Sequence, residues 1–139
     1  MMMKIISKTI IAFTLILMTT NVYAQKISSF DADKFRFALS EDENPQIIDV
    51  RTKAEFDAEH IKDAINIDIN KIDFQKKIAK KLSKDRIVYV YCHSGVRSLR
   101  AAEILSTLDF TRIYNLNGGI EAWKKQNYPI KKRKDKGNL

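Results

Sequence analysis

The only cysteine of the chain, Cys92, opens the stretch CHSGVRS, followed by His93, Ser94, Gly95, Val96, Arg97 and Ser98. A sulfur, an imidazole, two hydroxyls, a glycine and a permanent cation lie within seven residues. These groups suit the chemistry of a stabilised thiolate. A free thiol is only about 3% ionised at pH 7, and a shift of two pKa units needs about 2.7 kcal/mol. A helix N-terminus supplies about 0.3 to 1 kcal/mol, rising to about 2 when partly buried. The rest must come from hydrogen bonds to the sulfur, worth about 1.5 to 3 kcal/mol each when the acceptor is charged. Gly95 permits a positive φ, which lets the N–H groups of residues 93–98 converge as an anion-binding nest. Arg97 adds a cation, and Ser94 and Ser98 add hydroxyl donors. Such a cradle stabilises a thiolate, a persulfide or a bound oxyanion.

The flanking residues say how such a loop would be held. RIVYVY before it is the most strand-like run in the chain. LRAAEILSTL after it reads as a helix with Ala101, Leu105 and Leu108 on one side. The cysteine therefore stands where a strand gives way to a helix. Other elements repeat the alternation. Asp31 is a suitable N-cap for the helix ADKFRFALS, and Thr52 caps a short helix, TKAEFDAEH. IIDV, AINIDI and TRIYNL read as strands. KIDFQKKIAKKLSK is an amphipathic helix that buries Phe74, Ile78 and Leu82, and GGIEAWKKQ is a final helix. Strands alternating with helices imply a mostly parallel sheet covered on both faces. Sites in such sheets lie beyond the carboxyl ends of the strands, which is where Cys92 falls.

With 139 residues, 45% hydrophobic and 30% charged, one globular domain is expected. Residues 1–24 have a different character: Lys4 and Lys8, an apolar run from Ile10 to Met18, then Val22-Tyr23-Ala24. The run is short of the roughly 20 residues of a membrane span, and the pattern is that of a secretory signal cleaved after Ala24. Cleavage lowers the formal charge from +8 to about +6. An exported domain with one cysteine cannot form an internal disulfide, which marks Cys92 as a candidate reactive thiol. The basic end, residues 131–139, is expected to be a solvated, poorly ordered tail. No aromatics interleave its lysines, so no nucleic-acid partner is implied, and no membrane span remains after cleavage.

Three stretches in order resemble the rhodanese-like sulfurtransferases. They are IIDVRTKAEFDAEHIKDAINI, CHSGVRS and YNLNGGIEAW, which together span about residues 47 to 123. The resemblance implies a rhodanese-like α/β domain over residues 25–130, with a five-stranded, mostly parallel sheet flanked by helices on both faces. It implies that Cys92 is the catalytic nucleophile and that His93, Ser94, Gly95, Val96, Arg97 and Ser98 form the loop that holds substrate and persulfide. Asp49 and Arg51 are implied to support the framework. The expected reaction takes a sulfane sulfur from thiosulfate or a similar donor onto Cys92 and passes it to cyanide or a thiol, including a partner protein's thiol. No cofactor or metal is required, and a monomer suffices. The expected location is the periplasm or outside the cell.

The sequence departs from the family pattern in two places. Glu59 and Asp63 stand where the family often has glycine, which bears on the local turn. Glu55 stands where some two-domain relatives carry a substrate-binding arginine, which leaves thiosulfate to Arg97 and the loop N–H groups. His93 is read as tuning access, His60 as structural, Trp123 as core and Gly118-Gly119 as a tight strand-to-helix turn. Two other readings remain open at this level. One is a cysteine-dependent phosphatase or arsenate reductase, although four residues rather than five separate Cys92 from Arg97. The other is a persulfide carrier or binding module without turnover.

Overall fold

The computed structural model describes residues 26–133. The expected signal, residues 1–24, lies outside them. So do residues 134–139. In chain order the elements are β1 (Ile27–Phe30), α1 (Ala32–Glu41), β2 (Gln46–Asp49), α2 (Lys53–Ala58), β3 (Glu59–Ile61) and β4 (Ile65–Asn66). They continue with α3 (Phe74–Lys81), β5 (Val88–Tyr91), α4 (Val96–Thr107), β6 (Ile113–Leu116), α5 (Gly119–Lys125) and β7 (Ile130–Lys132).

Local chemistry sets the helix starts. The Asp31 carboxylate accepts the Lys34 N–H at 2.8 Å and caps α1. Thr52 and Glu55 form a reciprocal capping box on α2: Thr52 N–H donates to Glu55 Oε2 at 2.9 Å, and Glu55 N–H donates to Thr52 Oγ1 at 3.3 Å. The main sheet has the order β1-β6-β5-β2-β4, with every pairing parallel. β3 and β7 form a separate antiparallel pair.

Because side chains alternate across a strand, each central strand feeds two cores. Ile48, Val50, Val88, Val90, Cys92 and Ile113 pack with Phe74 and Ile78 of α3 and with Ala101 and Leu105 of α4. Ile47, Tyr89, Tyr91 and Leu116 pack on the opposite face with Phe35 of α1 and with Ile120 and Trp123 of α5. Full burial of an aliphatic or phenyl side chain such as Phe35 or Ile78 contributes about 1.5 to 3 kcal/mol. A charge at either position would break the layer it holds.

Several boundaries differ from the sequence reading. β1, with its two serines, carries no strong strand pattern and joins the sheet only through its register with β6, Ile27 opposite Ile113. The helix expected to reach His60 stops at Ala58, because Glu59–Ile61 pair with β7 instead. β4 has two residues paired with β2, and Ile65 is 38% exposed, whereas Ile67 and Ile69 are buried as expected. The chain still follows the sheet beyond β4, with Ile67 N–H bonded to Asp49 O and Ile69 N–H to Val50 O. Lys131 and Lys132, assigned to the tail by sequence, lie in β7, and Arg133 N–H donates to Ala58 O at 2.9 Å. Asp63 takes the left-handed conformation (φ 66°) that the replaced glycine would have supplied, a region aspartate tolerates. Glu59 is extended and needs no glycine. Among the described residues no helix is long and apolar enough to cross a membrane.

Candidate active site

Period-two alternation along β5 decides where the cysteine points. Val88, Val90 and Cys92 share the α3–α4 face, while Tyr89 and Tyr91 take the other. The sulfur therefore lies beneath the first turn of α4, which begins at Val96 after the four residues 92–95 that follow β5. Gly95 closes the turn with φ 102° and brings its N–H to within 3.1 Å of Cys92 Sγ. A non-glycine residue there would be strained, and its β-carbon would stand 3.1 Å from Gly118 N.

Burial is the largest single influence on the Cys92 thiol and pushes its pKa up. The Ser98 hydroxyl and the N–H groups of Ser98, Gly95 and Ser94 act the other way and together prevail, so the thiol lies below its ordinary value. Cys92 is 1% exposed, yet the loop amides face its sulfur. Ser98 is fully buried, and its hydroxyl donates to Gly95 O at 3.1 Å. A hydroxyl carries one hydrogen, so it serves either that carbonyl or a charged sulfur.

The first turn of α5 clamps this loop from outside. Ile120 N–H donates to Cys92 O at 2.9 Å, and Glu121 N–H donates to His93 O at 3.3 Å. Gly118-Gly119 is a tight turn, as read from sequence. Its second role, direct contact with the cysteine loop, had no signal in the sequence.

The remaining candidates fall into two groups. Val96 is exposed on the first turn of α4, and the His93 side chain is 55% exposed with Nδ1 3.8 Å from Glu121 Oε1. Glu121 also pairs with Lys124 at 2.9 Å, and Lys124 with Glu59 at 2.6 Å, so His93 ends a charged chain along the rim. Asp49 and Arg51 lie elsewhere. Asp49 is opposite Tyr91 in register, on the face away from the sulfur. Arg51 Nη2 donates to Asp49 Oδ2 at 2.7 Å and to Glu59 O at 2.6 Å, and Asn66 donates to Arg51 O at 2.9 Å. This pair ties β2, β3 and β4 together. Burial opposes the Arg51 charge, but Asp49 keeps its pKa raised. Burial and the Asp49 carboxylate push the Tyr91 phenol far up, and its oxygen accepts the Ile61 N–H at 3.0 Å.

Arg97 stands in the loop as expected, but not as an unpaired cation. The sequence reading makes it an available cation, but it is bound at two points by Glu55. Nη1 donates to Oε2 and Nη2 to Oε1, both at 2.9 Å. The Arg97 hydrogen bond is the main reason that the Glu55 carboxyl is held down to about 2; burial opposes it and Thr52 adds to it. Glu55 thus caps α2 and neutralises Arg97 at once. The Thr52 cap was legible in the sequence; the part Glu55 takes in it was not read there, and the ion pair joins residues 42 positions apart. His60 hydrogen-bonds Phe56 O through Nδ1 at 2.8 Å and stacks on the Phe56 ring. Trp123 is core, with its indole N–H donating to Pro129 O at 3.0 Å.

A family profile described as "Rhodanese-like domain" matches residues 32–126. The chain is 36% identical over 113 residues to the uncharacterized protein YqhL of Bacillus subtilis, covering 81% of this chain and 85% of that one. It is 33% identical over 104 residues to a protein of Allochromatium vinosum named "Sulfurtransferase", covering 75% and 94%. Among solved structures, it is similar to the rhodanese-like domain of the Alr3790 protein from Anabaena, with TM-score 0.68 and 27% identity over 80% of this chain and 86% of that one. It is also similar to a rhodanese-like domain protein from Staphylococcus aureus, with TM-score 0.60 and 31% identity over 69% and 90%.

Proposed function

Since the chain belongs to the rhodanese-like domain family, we propose that it moves a sulfane sulfur through a Cys92 persulfide, from thiosulfate or a similar donor to cyanide or a thiol. The Gly95 N–H held 3.1 Å from Sγ carries this reading, because it aims a donor at the atom that must bear charge. In the first half-reaction the Cys92 thiolate attacks the outer sulfur of the donor. The donor S–S bond breaks, its electron pair leaves on the departing group (sulfite, for thiosulfate), and the new S–S bond joins the sulfur to Cys92. In the second, the acceptor attacks the outer persulfide sulfur and the pair returns to Cys92 as thiolate. A single cysteine suffices for this ping-pong cycle.

The loop N–H groups serve thiolate and persulfide alike, because both place negative charge in the same nest. Asp49 and Arg51 act as framework. A phosphatase reading is disfavoured by the Glu55 carboxylate on Arg97, which occupies the loop guanidinium that a phosphate dianion would need. The amino-terminal run supports export to the periplasm, with maturation after Ala24.

The test is to incubate the mature chain with a sulfane donor and measure intact mass. Wild type should gain one sulfur atom and lose it to cyanide as thiocyanate, and Cys92→Ala should gain none. Hydrolysis of a phosphate ester with no sulfur adduct would reject the reading.

A further inference from the structure

Glu55 and Arg97 meet across the gap between two neighbouring strands. Glu55 sits in the first turn of α2, just past β2, and Arg97 in the first turn of α4, just past β5. β2 and β5 are adjacent and parallel, so both helix starts rise from the sheet end that holds Cys92. The pair is 31% and 34% exposed in its side chains and faces solvent rather than core. The Arg97 guanidinium lies within electrostatic reach of the Cys92 sulfur. Its charge is cancelled by a carboxylate bonded to it at two points. The other cationic side chain on the loop, His93 when protonated, faces Glu121. What remains to receive a ligand is a set of neutral N–H and hydroxyl donors from Ser94, Gly95 and Ser98.

This arrangement bears on the charge of the sulfur donor. Thiosulfate carries two negative charges toward a thiolate, and the departing sulfite carries two away. The loop guanidinium does not compensate either of them, because Glu55 already pairs with it and the two together carry no net charge. A persulfide of a small thiol poses no such problem when its sulfane sulfur is protonated and its other charges cancel. The Cys92 thiolate attacks the outer sulfur of R–S–SH, the donor S–S bond breaks, and R–S⁻ leaves with the electron pair. The proton stays on the transferred sulfur, so no further reactant is needed.

Resting on the sulfurtransferase reading, we propose that Glu55 is a specificity-determining residue: by holding Arg97 it disfavours dianionic donors and selects small persulfides without net charge.

The experiment compares Cys92 persulfide formation from thiosulfate and from cysteine persulfide in the mature wild type, Glu55→Gln and Glu55→Asp. Glutamine serves at the third position of a capping box, so α2 keeps its start. Wild type should load from cysteine persulfide with the higher kcat/KM. Glu55→Gln should raise the thiosulfate-to-persulfide ratio of kcat/KM at least fivefold, while Glu55→Asp, which keeps the charge, should stay within twofold of wild type. A smaller rise in Glu55→Gln, or a wild type that prefers thiosulfate, overturns the role of Glu55.

A measurement on wild type alone covers the case in which the variants do not fold. Neutral iodoacetamide should outpace anionic iodoacetate at Cys92 by a larger factor in the folded chain than in denaturant. The opposite order overturns the proposal. Failure of every donor to load any folded form would sink the sulfurtransferase reading itself, whereas loading with an unchanged ratio sinks only the charge selection.

Discussion

Gly119 and His93 touch backbone to backbone: a β-carbon on Gly119 would stand 2.3 Å from the His93 carbonyl oxygen. It would also lie 2.5 Å from Cys92 O, and Gly119 holds φ 59°. Left-handed φ alone costs an L-residue about 1 to 2 kcal/mol, and crowding a backbone that cannot swing aside adds to it. Gly119→Ala is therefore expected to destabilise the fold by about 2 kcal/mol or more in urea unfolding, and to slow persulfide formation by shifting the loop. A loss under about 0.5 kcal/mol, the ordinary scatter of surface substitutions, would mean that the contact relaxes freely.

Below the sheet, Asp49 and Arg51 are 0% and 3% exposed. Removing one partner of such a pair leaves a buried charge, at a cost of about 3 to 5 kcal/mol. Asp49→Ala should lose stability on that scale, and Asp49→Leu with Arg51→Leu should lose less. Any Asp49→Ala protein that stays folded should keep the wild-type thiol titration, since Asp49 lies on the other face of the sheet. A titration displaced as far as by Ser98→Ala would place Asp49 in the sulfur's own environment instead.

The thiol itself titrates low because the donors of Ser98, Gly95 and Ser94 outweigh burial. Reactive thiolate should persist as pH falls, down to the lowered folded pKa. The stability it contributes is full above the unfolded pKa and disappears through the folded one. Iodoacetamide rates against pH should show a lower midpoint for the native chain than for the same chain in denaturant. Ser98→Ala should move the native midpoint up. Coincident native and denatured midpoints would remove the cradle from the mechanism.

Glu55 supplies a second pH window. Its carboxyl is held well below the ordinary glutamate range, down to about 2, chiefly by the Arg97 hydrogen bond. A depressed acid stabilises the fold above its unfolded pKa and loses that contribution as pH drops through its folded one. Wild type should therefore lose more stability than Glu55→Gln between about pH 4.5 and 2. Equal losses in chemical unfolding across that range would show that the ion pair contributes nothing, as many exposed pairs do.

Much of the architecture was legible because it rests on short-range chemistry. The Asp31 and Thr52 caps, the apolar spacing of α3 and the β-branched run of β2 each act within a turn or a strand. β1 and the β3–β7 pair were not read from residue patterns. Ser28 and Ser29 have weak strand preference, and Glu59–Ile61 looks like the end of a helix until a distant partner takes its backbone hydrogen bonds.

By itself, the order of residues determined that one sulfur stands between a strand and a helix, next to a glycine that permits the turn and serines able to donate. Those are properties of neighbours in the chain, and covalent geometry enforces them. Only the folded structure decided that Gly119 must stay bare, that Asp49 works from the far side of the sheet, and that Arg97 is already taken. Each of these depends on residues remote in sequence brought within contact distance, and a contact of that kind has no local pattern to announce it.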